Sequence, residues 1–143
     1  MFLGEYDHTV DDKGRMAIPA KFRAGLASGL VVTRGFDQNL LVYPMDVWRE
    51  LAARVNALPI TQPAARNLRR LLFGSAADLE LDKQGRILLP ANLREYAGIS
   101  GEAVVTGMDT FIEIWSQERW QAVIAAFPED GAAIAEQVAA LGI

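Results

Sequence analysis

The residues best suited to chemistry in this chain sit in two short turns of related sequence. Residues 11–23 read DDKGRMAIPAKFR and residues 82–94 read DKQGRILLPANLR. Asp11, Gly14, Arg15, Pro19, Ala20 and Arg23 each match a residue 71 positions later: Asp82, Gly85, Arg86, Pro90, Ala91 and Arg94. Asp and Gly make the turn, because Asp hydrogen-bonds its own backbone and Gly accepts positive φ. Turn geometry requires the Gly but not the Arg after it. A hairpin with a merely solvated Arg would account for one copy and accounts less well for two. Lys13 beside Arg15, and Lys83 near Arg86, place two cations on each tip. A guanidinium donates two parallel hydrogen bonds, which suits it to a phosphate or to the major-groove edge of a guanine. Spacing and charge therefore favour nucleic-acid binding.

Two copies of one structural unit must position these tips. The echo continues at a spacing of 72, with VVTRGFDQNLLVYPMDVW (31–48) matching AVVTGMDTFIEIWSQERW (103–120). A repeat this long and this ordered is a repeat of structure, and function is expected in what both copies expose. Each copy reads as strand, turn, strand, short helix, strand, strand. In the first, GEYDHTV precedes the turn, residues 15–18 form a half-buried strand, and Ile18 stays extended before proline. Pro19 opens a helix of about two turns that Gly25 or Gly29 ends. LVVTR (30–34) and NLLVY (39–43) then form a strand pair. The second copy runs ADLEL, DKQG, RILL, Pro90, ANLREYAG, EAVVTG and TFIEIW.

Helices separate and follow the copies. Val47, Leu51 and Val55 give residues 45–55 one apolar face. Thr61 is the expected cap of the next helix, with Pro63 in its first turn. That helix carries Leu68, Leu71 and Leu72 on one face and Arg66, Arg69 and Arg70 on another, the latter expected to be solvated or paired with acids on a neighbouring element. Ser116 is expected to cap a helix ending near Pro128, and Asp130 to cap a last one whose stripe is Ile134, Val138 and Leu141. Tyr43, Trp48, Trp115 and Trp120 occupy matching repeat positions beside apolar runs and are expected in the core rather than stacked on bases. The units are 5–48 and 76–120, with connecting helices at 49–75 and terminal helices at 121–143.

Composition excludes several classes. The chain has 143 residues, 51% hydrophobic and 22% charged, as expected for an ordinary globular domain. It has no cysteine, which removes disulfides, thiolate metal sites and a Cys nucleophile. His8 is the lone histidine, and neither a G-x-S-x-G elbow nor a phosphate-binding glycine loop occurs. No catalytic residue, metal site, cofactor or small-molecule substrate is expected, and Asp11–Asp12 is read as turn-forming. The opening MFLGEYDHTV is not expected to be a signal peptide, and no segment is expected to span a membrane. Net charge is −4, yet residues 1–101 carry 13 basic against 11 acidic residues, whereas 102–143 carry one against seven. The acidity lies towards the C-terminus, so a basic surface on the N-terminal part remains open to a polyanion.

The opening MFLGEYDHTVDDKGR, the two Gly-Arg turns with their upstream Asp, and the two Pro-Ala helices together resemble the MraZ family of tandem SpoVT-AbrB-type bacterial regulators. The resemblance covers roughly residues 1–125. It implies an α+β fold with a mainly β core, a swapped-hairpin, double-psi-like β-barrel built within one chain and ringed by peripheral helices. It implies a cytoplasmic, nucleoid-associated repressor that assembles into rings and binds direct repeats in double-stranded DNA upstream of its own division and cell-wall gene cluster. Carried onto this sequence, Lys13, Arg15 and Arg86 face DNA, with Lys83 at the second tip, where Gln84 stands at the position matching Lys13. Gly14 and Gly85 keep the tips narrow. Lys21, Arg23 and Arg94 either add phosphate contacts or are ordinary surface residues. Two other readings stand beside this one. One is an antitoxin-like interaction module on the same barrel, and the other is a small hydrolase, which the residue inventory disfavours.

Overall fold

The computed structural model describes residues 1–143 and has an α+β architecture with a mainly β core. The first copy contributes β1 (Glu5–Thr9), β2 (Arg15–Ala17), α1 (Ala20–Arg23), β3 (Leu30–Arg34) and β4 (Leu40–Pro44). Helices α2 (Met45–Asn56) and α3 (Pro63–Phe73) follow. The second copy contributes β5 (Ala77–Leu79), β6 (Arg86–Leu88), α4 (Ala91–Ala97), β7 (Glu102–Gly107) and β8 (Ile112–Ser116), then α5 (Gln117–Ala126) and α6 (Gly131–Ala140).

The copies do not fold side by side. Strands β3–β4 and β7–β8 form hairpins within each copy, and β4 pairs with β8 to join them. Each copy then lends its first strand to the other: β1 pairs with β7, and β5 pairs with β3. The result is one antiparallel six-stranded sheet in the order β1-β7-β8-β4-β3-β5. Strands β2 and β6 form a separate two-stranded ribbon, again one strand from each copy. The hydrogen-bonded ladder is thus an open sheet ending at β1 and β5, not the closed barrel that the resemblance implies.

The period-2 alternation sets what the ribbon and sheet bury. Met16 and Ile87 point inward and are buried, joining Ile18, Phe22, Leu89 and Leu93 in a core of 19 buried residues drawn from both copies. Phe22 of α1 meets Phe2 and Tyr6 edge-on, each with ring centroids 5.4 Å away, the favoured aromatic geometry. Strands β3 and β4 are buried on both faces, because α2 and α3 cover their far side with Val55, Leu72, Trp48 and Phe73. Trp115 and Trp120 pack together against Val104 under α5. The four matched aromatics are therefore core residues, Trp48 being half-buried.

Helix ends differ from expectation in places. Ser116 does cap α5, its Oγ accepting from the Arg119 amide at 3.2 Å. Thr61 does not cap α3: Pro63 is the first helical residue, which puts Gln62 in the capping position and Thr61 one place too early. Asp130 precedes α6 but its side chain makes no capping bond. Helix α1 stops at Arg23 and continues as a single 3-10 turn, Ala24–Leu26. The basic face of α3 is structural. Arg69 Nη2 donates to the carbonyls of Asn56 and Leu58 at 3.0 and 2.9 Å. Arg66 Nη1 donates to those of Ile60 and Thr61 at 3.1 and 3.3 Å, so both arginines satisfy carbonyls at the end of α2 and in the loop after it.

Candidate nucleic-acid interface

Each Gly-Arg turn is built by its own aspartate. Asp11 Oδ1 accepts the Lys13 and Arg15 amides at 3.0 and 2.8 Å, while Oδ2 accepts Arg15 Nε at 2.7 Å. Asp82 repeats this with the Gln84 amide at 2.9 Å, the Arg86 amide at 2.8 Å and Arg86 Nε at 2.9 Å. One carboxylate thus closes the turn and orients the guanidinium through Nε. The terminal nitrogens of Arg15 and Arg86 stay available for outside partners. Half-exposed ion pairs of this kind add little to stability, so their main effect is on side-chain direction.

The ribbon brings the two arginines together. Cross-strand partners are Arg15 with Leu88, Met16 with Ile87, and Ala17 with Arg86. With Met16 and Ile87 buried, the other four residues share the outward face. Arg15 and Arg86 are diagonal neighbours on it, about 7–8 Å apart.

The turns also clasp each other's copy. The Leu89 amide donates to the Gly14 carbonyl at 2.9 Å, and the Ile18 amide donates to the Gly85 carbonyl at 2.9 Å. Arg94 is held by an Nε bond to the Leu89 carbonyl at 3.0 Å and lies over Gly14; a Cβ added there would fall 2.8 Å from Arg94 Nε. Arg23, held by the Ile18 carbonyl at 2.9 Å, lies over Gly85 in the same way. Both glycines have positive φ, +90° and +74°. Glycine is therefore required twice over, for its backbone and for the arginine above it. Each tip becomes a composite: Lys13, Arg15 and Arg94 at one, Lys83, Arg86 and Arg23 at the other. Lys13, Lys83 and, on α1, Lys21 are exposed.

The protein-family model described as "MraZ protein, putative antitoxin-like" matches twice in tandem, over residues 1–71 and 72–140. This chain belongs to the MraZ family. A protein of Herpetosiphon aurantiacus named "Transcriptional regulator MraZ" is 75% identical over 143 residues, covering 100% of both chains. Proteins with the same name from Roseiflexus castenholzii and Desulfitobacterium hafniense are 52% identical over 141 residues and 49% over 143, covering 99% and 100% of each chain. MraZ is a family of transcriptional regulators, not of enzymes. No helix of this MraZ-family chain is long and apolar enough to cross a membrane.

Sequence reasoning on this MraZ-family chain missed the crossed packing of Arg23 and Arg94, although their matching repeat positions hinted at a shared role. It also passed over Leu88 and Ala17, which strand alternation alone would have put on the face of Arg15 and Arg86.

The turns carry a pH signature. The amide of Arg15, followed by its side chain and the Lys13 amide, holds the Asp11 carboxyl down from 3.8 to about 2. Asp82 is lowered by the equivalent bonds from Arg86 and Gln84. A carboxyl depressed in the folded state stabilises above its unfolded pKa, and that contribution is lost as pH falls through the folded value. The expected result is an unfolding midpoint insensitive to these groups at neutral pH. It should decline as pH drops from about 4 towards about 2. Asp11→Asn should flatten part of this decline, which acid titration followed by circular dichroism would reveal. An unchanged acid limb would contradict the assignment.

Proposed function

We propose that this chain is a sequence-specific DNA-binding transcriptional regulator that acts as a repressor on direct repeats upstream of its own gene cluster. The observation that carries the reading is the outward face of the β2–β6 ribbon, where Arg15 and Arg86 lie diagonally with oriented guanidiniums. A two-stranded ribbon fits the major groove, and Arg reads guanine there through O6 and N7. Lys13 and Lys83 in the turns, Arg23 and Arg94 over the glycines, and Lys21 on α1 would supply contacts to the flanking phosphates. The relatives' name, "Transcriptional regulator MraZ", supports the same conclusion. The reciprocal lending of β1 and β5, with the β2–β6 ribbon bridging the copies, supports reading the fold as a swapped-hairpin arrangement whose hydrogen-bonded ladder stays open. We place the protein in the cytoplasm at the nucleoid.

Self-assembly belongs to this proposal. Helix α6 buries none of its residues and exposes Ile134 and Val138, continued by exposed Leu141 just after it, while the segment around it is acidic and the rest of the chain is slightly basic. Such a surface suits head-to-tail contact between copies, which forms a ring where the rotation between neighbours closes. A ring presenting the same ribbon to repeated boxes gains affinity through effective concentration when the spacings match. The same exposed stripe also suits a partner protein, as in an antitoxin-like module, and co-purification of a stoichiometric small protein would favour that reading.

The test is fluorescence-anisotropy binding to a duplex from upstream of the chain's own gene and to a scrambled duplex, at low and moderate salt. Preference for the native duplex at both salts is expected. Equal, steeply salt-dependent binding to both would reduce the interface to a non-specific basic surface.

A further inference from the structure

We propose that Leu88 is a base-reading residue, packing on the 5-methyl group of a thymine beside the base contacted by Arg15; this rests on the DNA-binding reading above. Leu88 is 55% exposed, whereas its neighbours Ile87 and Leu89 are 1% and 0% exposed. A single exposed leucine is ordinary on a protein surface. This one occupies the outward face of a ribbon otherwise fronted by two arginines and an alanine, where a polar residue would be solvated at no cost. In the major groove the thymine methyl is the one apolar feature, and small or branched apolar side chains are what recognise it.

Register locates the contact. Leu88 lies directly across from Arg15, which puts their Cβ atoms about 5 Å apart. Successive base pairs rise about 3.4 Å along a strand. The thymine therefore lies within two base pairs of the base that Arg15 reads.

The pairing also gives the ribbon a direction. With an arginine at each diagonal end, the face is nearly two-fold symmetric and would fit the groove in either sense. The repeat counterpart of Leu88 is Ala17, which faces Arg86. Leucine at one end and alanine at the other break the symmetry, so one orientation on a non-palindromic box gains a methyl contact that the reverse loses.

The experiment replaces each thymine of the native upstream duplex singly by deoxyuridine, which removes only the methyl group. Wild type, Leu88→Ala and Leu88→Gln are titrated by anisotropy, with thermal unfolding confirming that the exposed substitutions leave the fold intact. One or two replacements should weaken wild type by about fourfold, the value of one buried methyl. Both variants should bind the unmodified duplex more weakly and show no thymine–deoxyuridine difference at those positions. A full deoxyuridine effect persisting in Leu88→Ala, or no effect at any thymine in wild type, overturns the proposal while leaving DNA recognition by the arginines in place. Wild type binding native and scrambled duplexes equally would overturn the functional reading and the proposal together.

Discussion

Arg15→Ala lowers affinity for the native duplex by about 1–3 kcal/mol, roughly five- to 150-fold, for each site at which it reads a guanine. Two effects add. The variant loses a bidentate donor pair, and it frees Asp11, whose Oδ2 now accepts Arg15 Nε at 2.7 Å, to present an uncompensated carboxylate to the phosphates. Arg86→Ala should behave alike through Asp82. In an assembly engaging several boxes at once, the loss is taken at each box and the apparent affinity collapses. Arg15→Lys separates the causes: it keeps the charge but not the planar fork, so it should recover non-specific binding and leave the preference over the scrambled duplex low. The ion pairs are half-exposed, so folding stability should hardly change. Anisotropy titrations of the three variants decide the matter, and wild-type binding by Arg15→Ala would rule out the ribbon as the reading head.

Phe22→Ala has the opposite profile, with a large loss of stability and only an indirect effect on DNA. Phe22 is 1% exposed and meets two aromatic rings edge-on. Truncating a buried phenylalanine costs about 3–5 kcal/mol, the transfer term plus an unfilled cavity. That is a large share of the roughly 5–15 kcal/mol that holds a domain together, and for a chain of this size the midpoint should fall by roughly 10–20 °C. The residue stands between β1, which is lent to the second copy, and the Ile18–Pro19 segment that ends the ribbon. The cavity would therefore loosen the ribbon's attachment to the sheet. Thermal unfolding checks the prediction, and a shift of only a degree or two would mean that the site collapses without cost. Measured together, Arg15→Ala and Phe22→Ala separate recognition from folding.

How much of this was legible in the chain follows from the range of the forces involved. Turns, helices and hairpins depend on residues within about ten positions. Asp-x-x-Gly-Arg and its echo, Pro19 and Pro90 at their helix starts, Ser116 as a cap and the β3–β4 and β7–β8 hairpins could therefore be read directly. The failures at Thr61 and Asp130 are local too. A cap depends on a one-residue offset and a backbone angle that composition does not specify. The arginines of α3 looked like a solvated face because their acceptors are carbonyls of another helix end, and a backbone carbonyl has no sequence signature.

The repeat itself, the residues of each turn, the alternation that buries Met16 and Ile87, and the charge imbalance along the chain were all present in the order of the amino acids. Which strand pairs with which was not. A backbone ladder is nearly blind to side-chain identity, so β1 could have added to its own copy as readily as to β7. The choice is made by how 19 side chains from both copies fill one interior. That packing sets Arg15 and Arg86 on one face, lays Arg23 and Arg94 over the opposite glycines, and places Leu88 beside Arg15.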